Sequence, residues 1–295
     1  MATLVKSLLG NSPHLYHADA EVLSANLEQP LDQEIKPQAR VVLPEDGHYQ
    51  FQHAEPFRLK GIISYQSGYT QVAGHPATKG KGFQTLATSV VEGLNVLDVL
   101  TADRVVGQIS TVHPEEGQVP SVTFLGTRFE NLRIDGRGVE VERHLEILGD
   151  RKEDDTSYFD DQTVLGRFSQ QYEKISKADG LPGWAGERYP KDRAAWQTAS
   201  DLRCSVVNRV KDAPGTSFGH VIDLPDFGRI FLGELKVNRV MGRPATKGDD
   251  GANDTYRFNL TMIRLEMGCL ARGTATIVAL DSNGGGKGSP PPPPK

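Results

Sequence analysis

The sequence predicts a mainly β protein, built as an antiparallel β-sandwich or as a barrel-like sheet. Three observations support this fold class. Apolar and polar residues alternate with a period of two in several segments, which is the pattern of strands with one solvated face. The 295 residues include 31 glycines and 18 prolines, which is typical of a chain with many turns. Helical spacing of apolar residues is confined to one region, between residues 158 and 202.

The first clear alternation lies in segment 57–69, where the apolar side chains occupy odd positions. These are Phe57, Leu59, Ile63, Tyr65 and Tyr69. A second alternating segment, 139–148, follows the dipeptide Asp135-Gly136, and both of these residue types tolerate the positive φ of a hairpin turn. We therefore expect one strand over 57–69, and two strands near 122–134 and 139–148 that pair antiparallel.

The C-terminal part alternates as well, but the parity of its apolar positions changes. Even positions are apolar from Tyr256 to Met262, and odd positions are apolar from Ile263 to Met267. Such a change predicts a β-bulge or a strand that exchanges its buried face.

The one helical region begins after an acidic loop at 153–155. Its apolar residues follow helical spacing: Val164, Leu165, Phe168, Tyr172 and Ile175. Asp160 or Asp161 can cap the start, and Gly180 followed by Pro182 ends the helix. A second short helix is expected to begin at Pro190 and to run through Trp196.

These patterns divide the chain into four parts. Residues 1–150 form an N-terminal β-rich half, 151–202 a helical insertion, and 203–281 a C-terminal β-rich half of the same domain. Residues 282–295 form a Gly/Pro-rich tail, which we interpret as a flexible segment followed by a stiff polyproline spacer. Docking of Pro290–Pro294 on an aromatic groove is the alternative.

Charge and hydropathy exclude several classes of partner. The net charge is −5, and no cluster of lysine and arginine in the sequence supplies the cationic surface that nucleic acid requires. No run approaches the ~18–20 apolar residues of a membrane span. The apolar part of segment 1–10 is too short for a secretion signal, so we expect a cytoplasmic location, with non-classical export as the alternative.

The two cysteines, Cys204 and Cys269, both lie in strand-like segments. Two thiols cannot form a cysteine-rich zinc site or a disulfide framework. A bridge between neighbouring strands and a pair of buried, reduced thiols both remain open.

Several motifs resemble catalytic signatures and lack a required part. Segment Gly215–Gly219 matches the G-x-S-x-G nucleophile elbow around Ser217. That elbow needs a following helix and a later histidine, and no histidine occurs after His220, so we predict a plain loop. His113-Pro-Glu115 matches H-x-E, but the P-C-x-x-C of zinc deaminases is absent.

Metal and phosphate motifs are similarly incomplete. His14 and His17 with Asp19, and His48 and His53 with Glu55, do not have the H-E-x-x-H spacing, so solvent-exposed strand histidines are the better interpretation. Loop 249–254 carries oxygen ligands without an EF-hand register. Segment 74–81 fails the P-loop pattern. We therefore predict no cofactor and no metal site.

A short repeat links the two halves of the chain. The heptapeptides 74–80 and 242–248 both read G-x-P-A-T-K-G. Two similar hairpin loops, related by an ancient duplication, explain this repeat through the turn preferences of proline and glycine. The alternative is a pair of loops that contacts a partner or a neighbouring subunit.

Three short segments carry a resemblance to a known family. They are Gly93–Asp98, Thr101–Val105 and Phe129–Ile134, and they resemble bacterial proteins grouped as the choice-of-anchor P family. The run Pro225–Glu234 is similar to hypothetical bacterial proteins of the same general type. The resemblance covers about residues 85–150 and 200–280. It implies a β-rich fold and no assigned activity or catalytic residues. Members of the family are typically exported, and the missing signal segment departs from that pattern.

Two functions of different classes follow from these observations. The preferred hypothesis is a non-enzymatic protein that works by binding or by assembly into a homo-oligomer, because edge strands offer backbone groups to another chain. The competing hypothesis is a hydrolase acting on a sugar or an ester, with a site assembled from distant loops. Its candidate residues are His48, His53, His75, Asp103, His113 and His220. A third possibility is an accessory protein whose tail recruits a partner.

Overall fold

The fold is a pair of antiparallel sheets packed face to face, with helices beside one of them. A computed structural model describes residues 14–77, 82–114, 119–149, 156–177, 183–189, 200–240, 255–268 and 271–284. Within these ranges the strands form large antiparallel sheets that stay open, so the mainly β, sandwich-like prediction is confirmed and the barrel-like alternative is wrong.

The first sheet has the order β17-β18-β19-β20-β21-β1-β2, with β15 beside β19 and β3 beside β1. Its strands are β1 Ala18–Gln29, β2 Gln33–Gln38, β3 Val41–Val42, β15 Asp201–Ser205, β17 Thr216–Phe218, β18 Val221–Leu224, β19 Gly228–Val240, β20 Thr255–Met267 and β21 Arg272–Gly284. β1 pairs with β21, so this sheet joins strands from both sides of the helical region. The four-part division of the chain stays a prediction.

The second sheet has the order β13-β12-β9-β8-β6-β5, with β10 and β11 beside β9, β7 beside β8, and β4 beside β7. Its strands are β4 His48–Ala54, β5 Phe57–Leu59, β6 Ile63–Tyr65, β7 Ser67–Pro76, β8 Phe83–Val96, β9 Leu100–His113, β10 Ser121–Thr123, β11 Arg128–Glu130, β12 Arg133–Ile134 and β13 Arg137–Gly138. A separate pair joins β14 Glu140–Arg143 to β16 Val207–Lys211.

Two sequence-based strand predictions need correction. Segment 57–69 is not one strand, because Lys60 and Gly61 adopt positive φ and turn the chain into the hairpin β5–β6. The turn at Asp135-Gly136 is confirmed, but it joins only β12 and β13. The following strand β14 pairs with β16 and not with segment 122–134.

Glycines in the middle of strands let the two sheets approach closely. A Cβ atom on Gly107 would lie 2.8 Å from Leu280 Cδ1 and 2.8 Å from Val278 Cγ1, across the interface between the sheets. A Cβ atom on Gly68 would lie 3.1 Å from Val22 Cγ1. The two sheets therefore pack closely at Gly68 and Gly107 because neither residue has a side chain.

The predicted first helix is confirmed as α1, Gln162–Ser176. The Asp161 carboxylate accepts hydrogen bonds from the backbone N–H groups of Thr163 and Val164, so Asp161 is the cap. Gln171 anchors α1 to the first sheet, because its side chain donates to Ser205 O and accepts from Ser205 N.

The second helix differs from the prediction. Residues 183–188 form a short helix α2, Gly183–Arg188, ahead of the predicted start at Pro190. The predicted helix 190–196 lies outside the described residues. So do loop 242–248, the whole of the oxygen-rich loop 249–254, and tail residues 285–295. No helix in the described part of the chain is both long and apolar enough to cross a membrane.

Candidate functional site

A groove of about 400 Å³ crosses the outer face of the first sheet, and we refer to it as the polar groove. It runs over β15, β19, β20, β21 and β1, with the end of α2 at one side. Its charged lining residues are Asp19, Glu21, Arg188, Arg203, Glu234, Lys236, Arg264 and Asp281. Its volume lies within the roughly 300–1,000 Å³ range of small-ligand sites.

A break in strand alternation brings these side chains to one face. Gly233 adopts φ +61, and the ladder between β19 and β20 passes from Leu232–Ile263 to Glu234–Thr261. Phe231 and Glu234 consequently share the outer face, where Arg264 contacts both of them. A Cβ atom on Gly233 would lie 2.8 Å from Val206 Cγ2, so the position requires glycine.

The same break continues into the neighbouring strands. Met262 and Ile263 are both buried, and Val278 adopts φ +56. The predicted change of parity at Met262 is therefore confirmed as an irregularity shared by three adjacent strands. On the outer side it leaves the polar residues of β20 facing the groove: Asn259, Thr261 and Arg264.

Glu234 is the centre of the charge network. Its Oε1 accepts hydrogen bonds from Arg188 Nη2 at 2.8 Å and from Tyr189 Oη at 3.0 Å, and its Oε2 accepts from Arg264 Nε at 2.6 Å. Burial by itself would raise the pKa of Glu234. The charges of Arg264 and Arg188, with the hydrogen bond that Arg264 donates, outweigh burial and lower the pKa from 4.5 to about 2. Glu234 is therefore an anion at neutral pH.

Behind Glu234 lies a buried pair of Tyr189 and His220. Tyr189 Oη is 2.8 Å from His220 Nε2, and both side chains are almost completely buried. Burial lowers the pKa of His220 to about 4, and the positive charges of Arg188 and Arg264 act in the same direction, whereas Glu234 opposes them. Burial also raises the pKa of the Tyr189 hydroxyl. Both groups are neutral at pH 7.

At the other end of the groove, Asp281 has a similar environment. Its Oδ2 accepts hydrogen bonds from Arg257, with Nε at 2.5 Å, and from Asn259. Its Oδ1 lies 3.6 Å from His17 Nε2. Burial would raise the pKa of Asp281, but His17 and Arg257 lower it, so this carboxylate also stays ionised.

The candidate residues of the hydrolase hypothesis do not form one cluster: His48, His75 and His113 lie at one end of the second sheet, and the others lie elsewhere. His48 and His53 lie near opposite ends of β4, where they face Asp46 at 3.4 Å and Glu55 at 3.7 Å. His75 is on β7, and Asp103 on β9 accepts from Asn131. His220 lies in the turn between β17 and β18 of the other sheet, beside Tyr189. No group of three potential metal ligands occurs in the described ranges.

The interpretation of exposed histidines is right for His48 and His53 and wrong for His14, while His17 is half-buried. The ring of His14 is buried, stacks on Phe83 at 4.5 Å, and lies 5.2 Å from the ring of His113, which is also buried. Burial lowers the pKa of His14 to about 4, and the nearby His113 acts in the same direction.

The remaining motif predictions concern Ser217 and the cysteines. Ser217 lies in strand β17, so the predicted plain loop is wrong at this position. β17 turns at Gly219 into β18, and no helix follows Ser217 as a nucleophile elbow would require. Cys204 lines the groove wall but is buried, and burial raises the pKa of its thiol. Cys269 lies outside the described residues, so its pairing with Cys204 stays open.

A family model for a domain of unknown function, DUF8256, matches residues 14–238. The chain belongs to this family. No curated protein and no solved structure matches the chain. The match to DUF8256 ends within β19, although β20 and β21 complete the first sheet and supply one wall of the polar groove. These findings do not bear on the choice-of-anchor P resemblance, which stays a prediction.

The sequence-based reasoning did not find the groove of this DUF8256 protein. Its polar residues occupy the solvated positions of alternating strands, where charged side chains are normal. The available signal was the density of charge at those positions, for example Arg257, Arg264 and Glu266 on β20. The solvent-exposed face of an ordinary strand carries similar charged residues, and only the spatial arrangement distinguishes the groove from such a face.

Proposed function

We propose that this chain is a non-enzymatic binding protein whose polar groove holds an uncharged, hydroxyl-rich ligand of the carbohydrate class. The observation that carries the proposal is the balance of charge in the groove. Among its described lining residues, four carboxylates face four cationic side chains. Seven of these groups form ion pairs within the protein, and the Glu21 carboxylate accepts a hydrogen bond from the Ser24 hydroxyl. A charged ligand would have to break one of these pairs or leave a charge without compensation.

Two atoms in the groove keep hydrogen-bonding capacity for a neutral ligand. Arg264 Nη2 and Asp281 Oδ1 are buried, and neither makes a hydrogen bond with another described residue, although Asp281 Oδ1 lies 3.6 Å from His17 Nε2. The first is a donor and the second an acceptor, and a hydroxyl group can satisfy either. Thr261 and Thr276 add uncharged hydroxyls between them. This spacing along the strands suits an extended ligand with several hydroxyl groups.

The pKa values favour binding over the hydrolase alternative. A glycoside hydrolase needs a carboxyl group with a raised pKa to protonate the leaving group. Two carboxylates of the groove, Glu234 and Asp281, have lowered pKa values instead. His220, the nearest histidine to Glu234, is buried and does not line the groove.

An array of neutral oligosaccharides, followed by isothermal titration calorimetry on the full chain, tests this proposal. Replacing Thr261 with tryptophan fills the groove and should weaken binding at least about tenfold. The matched control is Thr216→Trp, on the exposed edge strand β17, which should leave the affinity unchanged. Absence of binding to every neutral glycan, or equal affinity in the Thr261 variant, would refute the proposal. Release of a cleaved sugar would favour the hydrolase.

Self-assembly into a homo-oligomer is a second candidate function, and strand β4 favours it. In the described residues β4 pairs only with β7, and the side chains from His48 to His53 are all exposed. Tyr49 and Phe51 are 58% and 51% exposed to solvent. The strand contains no proline, lysine or acidic residue, which are the residues that usually protect an edge from pairing. By contrast, edge strand β2 carries Lys36 and Pro37.

The sequence of β4 is nearly symmetric about Phe51. In a two-fold antiparallel pair centred there, Phe51 faces its own copy, Gln50 faces Gln52, and Tyr49 faces His53. No two like charges within β4 then oppose each other, which suits pairing with a second copy.

Size-exclusion chromatography with light scattering over a range of concentrations tests this assembly. Wild-type protein should form a dimer at high concentration, and Phe51→Lys should abolish it. Leu125→Lys, at another exposed apolar residue, is the control and should still dimerise. A wild-type protein that stays monomeric at high concentration would refute self-pairing, with no consequence for the polar groove.

A further inference from the structure

A second pocket, of about 360 Å³, is lined by residues of β11, β12, β13 and β14. We refer to it as the arginine pocket. Its lining includes Arg128, Arg133, Arg143 and Asn131, together with apolar side chains such as Phe129 and Val141. No carboxylate is among the lining residues that the structure describes. This composition is unusual in a protein with a net charge of −5.

The three arginines come from three different strands. Arg128 is on β11 and Arg133 on β12, and both strands pair with successive parts of β9. Arg143 ends β14, and its Nη1 donates to Thr127 O at 2.9 Å. Leu132 and Ile134, on either side of Arg133 in the chain, are buried and anchor this segment in the core. Short strands therefore fix the backbone positions of the three arginines.

Most donors of these arginines are not used within the described protein. A guanidinium carries five N–H donors. Arg128 donates to Glu130 and to Gly126 O, and Arg143 donates to Thr127 O. Arg133 is exposed and makes no hydrogen bond or ion pair with any described residue. Planar, paired donors of this kind match the oxygens of a carboxylate or a phosphate.

Three carboxylates of the neighbouring strands are held by other partners. Glu140 accepts from Lys211 at 2.7 Å, and Glu142 lies 3.3 Å from Arg209 Nε, both across the β14–β16 pair. Asp103 accepts from Asn131. Glu130 neutralises Arg128 in part, so the charge of Arg133 and Arg143 is left to face the pocket.

We propose that the arginine pocket binds an oxyanion, a phosphate or carboxylate group, carried on a ligand with a small apolar part. The anionic group lies between Arg133 and Arg143, and the apolar part contacts Phe129 and Val141. This site is separate from the polar groove, which is on the other sheet, and it does not depend on the function proposed for that groove.

Isothermal titration calorimetry at low ionic strength tests the proposal with four probes: phenyl phosphate, inorganic phosphate, benzoate and benzyl alcohol. Phenyl phosphate or benzoate should bind, and the tighter of the two identifies the preferred oxyanion. Inorganic phosphate should bind more weakly than phenyl phosphate because it lacks the apolar part. Benzyl alcohol, which has no charge, should not bind.

Substitutions distinguish a specific pocket from general attraction by positive charge. Arg133→Gln and Arg143→Gln should each weaken binding about tenfold, the usual loss for a hydrogen bond to a charged group. Arg137→Gln removes the same charge from the same hairpin but outside the pocket lining, and it should change the affinity less than twofold. Thermal unfolding of each variant verifies that it folds.

Two results would overturn the proposal. One is the absence of binding by both phenyl phosphate and benzoate at millimolar concentration. The other is an equal loss of affinity in the Arg137 variant, which would assign the effect to net charge. The Thr261→Trp variant should bind phenyl phosphate normally, so failure of the groove proposal leaves this one testable.

Discussion

Replacing Glu234 with glutamine removes the anion that joins Arg188 to Arg264 in the polar groove. The side chain of Glu234 is only 13% exposed, so the loss is not screened by solvent. Its pKa falls from 4.5 to about 2 on folding, a difference of about 2.5 pH units. At ~1.36 kcal/mol for each unit, the folded protein favours the ionised form by about 3 kcal/mol. Breaking a buried ion pair typically costs ~3–5 kcal/mol, in agreement.

Urea unfolding followed by tryptophan fluorescence measures this loss. We expect Glu234→Gln to reduce the free energy of unfolding at pH 7 by about 3 kcal/mol, which lowers the midpoint by roughly 1 M for a slope near 3 kcal/mol/M. Because the folded-state pKa is depressed, the contribution of Glu234 is present above pH 4.5 and is lost as the pH falls towards 2. The difference in unfolding free energy between wild type and variant should therefore become smaller below pH 4.5.

The control is Glu173→Gln on α1, whose carboxylate is exposed and lies 3.4 Å from Lys177 Nζ. An exposed pair of this kind contributes less than about 0.5–1 kcal/mol. If Glu234→Gln cost no more than Glu173→Gln, the charge network would not stabilise the groove. If wild type and Glu234→Gln differed in unfolding free energy by the same amount at pH 3 as at pH 7, the carboxylate charge would not be the cause of the difference.

Two further predictions concern burial in each sheet. His220 has a folded-state pKa of about 4 against 6.5 for the free group, so its contribution is present above pH 6.5 and is lost as the pH falls to 4. His220→Gln should accordingly reduce the pH dependence of the unfolding free energy in that window by up to ~1.4 kcal/mol per pH unit, and an unchanged slope would contradict the buried neutral histidine. Gly107→Ala should cost about 1–3 kcal/mol in urea unfolding because its Cβ would lie 2.8 Å from Leu280. Gly166→Ala in α1 meets open space and should stabilise by about 0.5–1 kcal/mol, and similar effects of both substitutions would refute the close packing at Gly107.

Local sequence signals predicted the elements whose causes are local. α1 was predictable because its apolar spacing, its cap Asp161 and its end all lie within about twenty residues. The parity change at Met262 was also visible, because it shifts the alternation of one strand. The same signals failed for segment 57–69, where alternation continues through the turn at Lys60 and Gly61.

Pairing between distant segments was not predictable from alternation. Strand β14 pairs with β16, more than sixty residues later, although the hairpin at Asp135 suggested a nearer partner. The burial of His14 depends on Phe83 and His113, which the chain brings from β8 and β9. A period-two pattern indicates that one face of a strand is buried. The pattern carries no information about which other strand pairs with that strand.

By itself, the sequence determined that this protein is mainly β, that one helix lies near its middle, and that its chain lacks complete motifs for known catalytic sites. Only the tertiary structure decided that Asp19, Glu234, Arg264 and Asp281 share one groove, because they come from four strands of the first sheet. Alternation is a local property of hydrogen-bonded strands, whereas a site is formed by contacts between strands that are distant in the chain.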